Sequence, residues 1–124
     1  MSSWDSDELR TIGDAEELDI SSTRADGTLR PFVTIWHVAV GGSLYVRSAY
    51  GPENGWFRRA AASGSGRVRS AGIERDVEFS APSDIPHEQL DAAYRRKYAH
   101  QPPQYVAPVV GPVAAGATLR VDPR

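Results

Sequence analysis

Eight arginines lie between residues 24 and 76 and face only Asp26, Glu53, Glu74 and Asp76, a basic excess of four in a chain whose net charge is −2. Guanidinium groups make planar two-point contacts with phosphate and carboxylate. The loop before Trp56 contains Gly51 and Gly55, which permit close backbone approach to the free N–H groups of a helix start. The chemistry expected of this stretch is retention of an anion, against the ordinary alternative of solvated surface charge. Residues 5–19 have the opposite character, with an acidic excess of six.

His37 interrupts an otherwise apolar run, where a buried imidazole can serve as acid or base or simply as a hydrogen-bonded core residue. Tyr94, Tyr98 and Tyr105 are placed to line a pocket between a late helix and the C-terminal segment, with hydroxyls able to donate a proton or rings that only pack. His37, His87 and His100 have no metal-ligand spacing, and with no cysteine in the chain thiolate metal sites, disulfides and thiol nucleophiles are all excluded; no metal is expected. Neither a Gly-x-Ser-x-Gly elbow nor a phosphate-binding P-loop is present. Arg67 and Arg69 share a strand face of the kind that binds nucleic acid, but a pI of about 5.9 and a single lysine argue against a nucleic-acid partner.

These residues must be positioned by short elements. A helix is expected over residues 1–15, capped by Asp5, with Glu8 closing a capping box, Trp4 and Leu9 as hydrophobic staple and Gly13 as its end. A strand at Leu18–Thr23 and a turn at Ala25-Asp26-Gly27-Thr28 lead to a return strand, Phe32 to Val40, whose apolar run predicts burial on both faces. Gly41-Gly42 turns the chain into the alternating strand Ser43–Ser48, completing a three-strand meander. A loop, a helix from Trp56 to Ser63 closed by Gly64, a hairpin around Ala71-Gly72 with one wet face, and a helix over Asp84–Tyr98 follow. Residues 100–124 read as an extended proline-containing arm ending in a closing strand near Ala117–Val121.

Four stretches carry a resemblance: Ala25-Asp26-Gly27-Thr28-Leu29-Arg30-Pro31, Tyr45-Val46-Arg47-Ser48-Ala49-Tyr50-Gly51, Gly55-Trp56-Phe57-Arg58 and Gly66-Arg67-Val68-Arg69. Their order over roughly residues 16–122 resembles the deazaflavin-dependent nitroreductase-like proteins and the related FMN-binding split barrels. The whole chain is similar to the bacterial family called domain of unknown function 2255. The resemblance implies a mainly β split barrel of about six strands with flanking helices, and a chain of 124 residues is expected to form a single domain. The resemblance further implies a deazaflavin coenzyme or FMN held by Arg24, Thr28, Arg30, Ser48, Tyr50, Gly51, Trp56 and Arg59; under an oxidoreductase reading, His37 or Tyr98 is the candidate proton donor from its residue type and setting. Where relatives have Ser-Gly this chain has Ala25-Asp26-Gly27, and Asp26 would repel a phosphate set beside it, so the anion sits elsewhere or the site has been lost.

Two functions stay open: an oxidoreductase-like protein acting on a small organic molecule, or a cofactor-free barrel that binds or converts a small hydrophobic metabolite. A structural adaptor is a third class, suggested only by the proline-containing arm. With no leader-like N-terminus and no run of about 20 apolar residues, the protein is expected in the cytoplasm and off the membrane; the resemblance to flavin-type split barrels, which commonly pair, implies a homodimer.

Overall fold

The computed structural model describes residues 3–124. Its first element, α1 (Ser6–Asp14), starts where local chemistry dictates: the Asp5 carboxylate accepts from the amides of Asp7 and Glu8 at 3.1 and 3.2 Å, satisfying donors that a first turn leaves without partners. Glu8 does not close the expected capping box, because its carboxylate is engaged by Arg75. Trp4 and Leu9 both enter the core, and Trp4 Nε1 donates to the Val121 carbonyl at 2.9 Å. Gly13 does not end the helix; it lets α1 lie against a strand, since a Cβ there would stand 2.9 Å from Ala39 Cβ.

The run from Phe32 to Val40 is not one strand. It breaks at Trp36 into β2 (Val33–Ile35), which pairs with β1 (Leu18–Ser22), and β3 (His37–Val40), which pairs with β4 (Ser43–Arg47). With β5 (Ser65–Ser70), β6 (Ile73–Ser80) and β7 (Thr118–Pro123) the sheet order is β2-β1-β5-β6-β7-β4-β3, antiparallel throughout. The two outermost strands are therefore consecutive pieces of one bent segment, and the bend brings the sheet edges together into a nearly closed split barrel. Seven strands replace the six expected because of that corner. The expected meander is divided by it, with β1 and β4 on opposite sides of the sheet order.

Burial also differs from the sequence pattern. Thr34 and Ala39 are exposed, so the bent segment is not covered on both faces, whereas every residue of β4 is buried. Leu44 and Val46 face the barrel interior with Leu18, Ile20, Val68 and Val121, while Tyr45 packs in a second core with Leu90, Tyr94 and Tyr98 of and beside α3 (His87–Lys97). α3 starts three residues later than expected, at His87 with Pro86 as its N-cap, and Asp84 instead accepts from Arg120 at 2.7 Å. The β5–β6 hairpin has the anticipated wet face, where Arg67 pairs with Glu74 and Asp76 and Arg69 with Asp19.

The C-terminal arm is not extended. It folds into α4 (Pro103–Val106), a 3-10 turn (Ala107–Val109) and α5 (Pro112–Ala115), each helix opening on a proline whose missing N–H costs nothing in a first turn. β7 then closes the sheet between β6 and β4. Among the described residues no helix is long and apolar enough to cross a membrane.

Candidate functional site

Three recesses follow one another along the barrel flank where α2 (Gly55–Ser63) packs on β1. The first is a cavity of about 570 Å³ bounded by β2, the Trp36 corner, the Tyr50–Asn54 loop, Trp56 of α2 and Tyr105 of the arm. Its walls are mainly aromatic and aliphatic, with Thr34, Arg47, Asn54 and Gln104 among them, the composition that takes a flat organic ring with a few polar groups. The second is a slot of only about 10 Å³ between Val33, Trp56, Arg30 and Arg59. The third is an open depression of about 710 Å³ bordered by Arg24, Arg30, Arg58 and Arg59. Val33 and Trp56 are common to the cavity and the slot, and Arg30 and Arg59 to the slot and the depression.

None of these four arginines has an ion-pair partner among the described residues, whereas Arg47, Arg67, Arg69, Arg75 and Arg120 all do. Arg24 Nη1 donates to the Leu29 carbonyl at 2.9 Å and to Thr28 Oγ1 at 3.3 Å. Thr28 in turn donates through both its amide and its hydroxyl to Asp26 Oδ1, at 3.0 and 2.6 Å. Those bonds lower the Asp26 pKa, the Thr28 hydroxyl first, and tie its carboxylate into its own turn; Asp26 does not border the depression. The Arg59 guanidinium folds back over the first turn of α2, where a Cβ on Gly55 would stand 2.7 Å from Nη1. Asn54 caps that helix without a side-chain hydrogen bond, leaving its first amides free of side-chain acceptors.

The expected convergence is therefore partial. Arg24, Arg30 and Arg59 meet at the depression, and Tyr50 and Trp56 meet at the cavity next to it. Thr28 orders the turn. Ser48 is buried and its Oγ accepts from the Tyr50 amide at 3.2 Å, while Gly51, at φ +82°, sets the loop bend; both shape the rim and line none of the three recesses.

His37 and Tyr98 lie elsewhere. His37 is fully buried, with Nε2 2.5 Å from the Ile12 carbonyl, and burial lowers its pKa to about 4. Tyr98 donates to the Glu16 carbonyl at 2.8 Å, accepts from the His37 amide at 3.1 Å and stacks on Trp36 with centroids 4.0 Å apart. Burial raises its pKa. Together they join α1, β3 and α3, and neither borders the cavity, the slot or the depression. Tyr94 is likewise in the second core; of the three late tyrosines, Tyr105 alone lines the cavity.

Arg47 counts in the sequence only as one of the eight arginines, yet it borders the cavity with its side chain fully buried. Nη1 donates to Asp91 Oδ1 at 2.5 Å and the Val109 carbonyl at 2.9 Å, and Nε to Thr118 Oγ1 at 3.0 Å. Its partners are 44 to 71 residues away in sequence, so the only local signal is a charge within a strand. Trp36 sits inside an apolar run, and Arg58 is one of two adjacent charges on a helix, beside Arg59.

A family model described as "Uncharacterized protein conserved in bacteria (DUF2255)" matches residues 8–121. The chain belongs to this family. No curated protein matches it. Among solved structures, this DUF2255 protein is similar to an F420 reductase (TM-score 0.59, 12% identity, covering 93% of this chain and 91% of that one). It is also similar to a candidate pyridoxamine 5′-phosphate oxidase from Listeria innocua (TM-score 0.62, 13% identity, 95% and 91% covered). A third similar structure is an FAD-binding protein from Mesorhizobium loti (TM-score 0.56, 18% identity, 98% and 91% covered). At such identities the likeness establishes the split-barrel fold.

Proposed function

We propose that this DUF2255 protein binds a deazaflavin coenzyme or FMN and serves as an oxidoreductase-like protein for a small organic molecule. The observation that supports the reading is the continuity between an aromatic cavity and four unpaired arginines, joined by walls that share Val33, Trp56, Arg30 and Arg59. A flat tricyclic ring suits the space between Trp36, Tyr50, Trp56 and Tyr105, and a phosphate suits the fork geometry of Arg30 and Arg59. When bound, such a cofactor supplies hydride transfer. The chain's own residues bind and orient: Trp56 sits at the junction of ring and tail, the buried Arg47 holds the cavity wall, and the Tyr50 loop shields one rim.

Titration of the protein with FMN, with riboflavin and with the deazaflavin coenzyme, followed by fluorescence, tests this. Binding of a phosphate-bearing ring is expected, and Arg30→Gln or Arg59→Gln should weaken it by about tenfold each, the value of one charge-assisted contact. Riboflavin affinity should not move in either variant. Absence of binding to all three ligands removes the reading.

One observation favours a second reading, a cofactor-free barrel that takes a small hydrophobic metabolite. The slot holds only about 10 Å³, so a ligand spanning both recesses must displace Trp56 or Arg59 or pass over them. An apolar ligand confined to the cavity needs neither. Under this second reading an apolar aromatic probe binds in the cavity and the arginine variants change nothing.

A further inference from the structure

Lys97, the one lysine in the chain, stands apart from the recesses above. It ends α3, and Nζ donates to the His37 carbonyl at 2.8 Å and lies 5.2 Å from the centre of the Tyr98 ring. Nζ is also 3.3 Å from His37 Nε2, but that nitrogen is 2.5 Å from the Ile12 carbonyl. The shorter contact requires the proton on Nε2, which therefore cannot accept from the amine; the bare nitrogen is the buried, unpartnered Nδ1. Glu16 acts on the amine only through space: its Oε2 accepts from His100 and Gln101 at 3.0 and 2.7 Å, and no carboxylate among the described residues forms an ion pair with Nζ.

An ammonium has three protons to place, and here one protein acceptor receives one of them. A half-buried cation so poorly solvated gives up a proton readily. The neutral amine keeps its bond to the His37 carbonyl and presents a lone pair. Burial brings the pKa down to about 8, against the upward pull of Glu16 and Asp14.

The amine borders a depression of about 410 Å³ between α3, the end of α1 and β3, with Gly13, Val38 and Ala92 as small apolar walls and Asp14 and Arg96 at its rim. Arg96 is exposed and has no ion-pair partner among the described residues. We propose that Lys97 is a reactive amine that condenses with a carbonyl compound bearing a negative group, the anion resting on Arg96. The nitrogen lone pair forms the C–N bond while the carbonyl π pair moves to oxygen, which takes a proton from solvent as the nitrogen gives one up to it. Loss of water then gives an imine, with no oxidant or reductant needed.

The groups facing Lys97 are His37 on β3, Asp14 on α1, Glu16 after it, and Arg96 and Tyr98 on either side. His37 is neutral above about pH 4, Glu16 is held below the usual carboxylate range, and the Tyr98 pKa is raised. The pH profile near neutrality is thus that of the amine.

The test is reaction of the wild-type protein with pyridoxal 5′-phosphate, borohydride trapping and peptide mapping, which separates Lys97 from the α-amino terminus. Lys97 is expected to be modified with a half-maximal rate at about pH 8, and at about pH 7.5 at least about tenfold faster than Nα-acetyl-lysine. Arg96→Gln should slow reaction with pyridoxal 5′-phosphate about fivefold and leave reaction with phosphate-free pyridoxal unchanged. Modification confined to the terminus, or Lys97 no faster than acetyl-lysine, overturns the reactive amine. Equal rates in Arg96→Gln and wild type, or an equal slowing with both aldehydes, overturns the anion seat.

Discussion

Burial keeps the His37 imidazole neutral, and this has a measurable cost in acid. Its pKa falls from an unfolded value of 6.5 to about 4 in the folded protein, so between those values the unfolded chain binds the extra proton. The stabilisation is complete above pH 6.5 and is lost as pH falls through that window. Between about pH 7 and about pH 5 the loss should be about 2 kcal/mol. Urea unfolding followed by tryptophan fluorescence measures it, and His37→Gln should lose correspondingly less stability over the same interval; parallel losses in both proteins would rule the mechanism out. At this scale the sequence offers Arg24, Arg30, Arg59, Tyr50 and Trp56 as candidates, whose types suit an anion or a ring, and the structure sets them along the adjoining recesses. It left His37 open between acid–base group and core residue, because a histidine inside an apolar run reads the same whether its nitrogens meet a carbonyl or a substrate.

The C-terminal arm is the element most dependent on a single buried contact. Arg47 reaches Asp91 on α3 and the Val109 carbonyl of the 3-10 turn, and Asp91 accepts the Gly111 amide at 3.3 Å. Leaving one member of a buried pair without its partner typically costs about 3 to 5 kcal/mol. Asp91→Asn should therefore lower stability by about 3 kcal/mol and loosen the cavity wall formed by Tyr105 and Val109. Chemical denaturation gives the first number. Amide exchange gives the second, with protection lost selectively over residues 103–116; uniform loss across the barrel would mean that the pair does not act through the arm. The prolines of this segment suggested extended chain from sequence. They instead open helical turns, because a proline is tolerated in the first turn of a helix as readily as on a strand edge.

At the scale of the whole molecule, the cavity mouth is rimmed by exposed apolar side chains. Tyr50 is 83% exposed, Val113 68% and Tyr105 58%, and Val113 lies against the Gly51 bend next to Tyr50. Apolar groups clustered beside a binding recess suit a protein surface as partner. We propose that two copies pair across this rim, which would also cover the cavity. Sedimentation at micromolar concentration should show a dimer, and Tyr50→Ser combined with Val113→Ser should return it to one chain's mass without lowering the thermal midpoint by more than a few degrees. A wild-type monomer under those conditions would remove the proposal.

Much of this protein follows from local chemistry alone: the Asp5 cap, the glycine turns, the wet β5–β6 hairpin, the Trp56 helix closed by Gly64, and the arginine-rich middle all depend on neighbours a few residues away. The split-barrel family was legible from those stretches. Tertiary structure decided the rest. Whether Phe32–Val40 runs straight depends on which strands it must pair with, and β1 and β4 claim its two halves in different places. Why β4 is buried throughout depends on a second core supplied by α3, more than forty residues later. The site itself lies between those cases: composition announces arginines and aromatics, but their arrangement as adjoining recesses exists only once the Trp36 corner and the folded arm have set the walls.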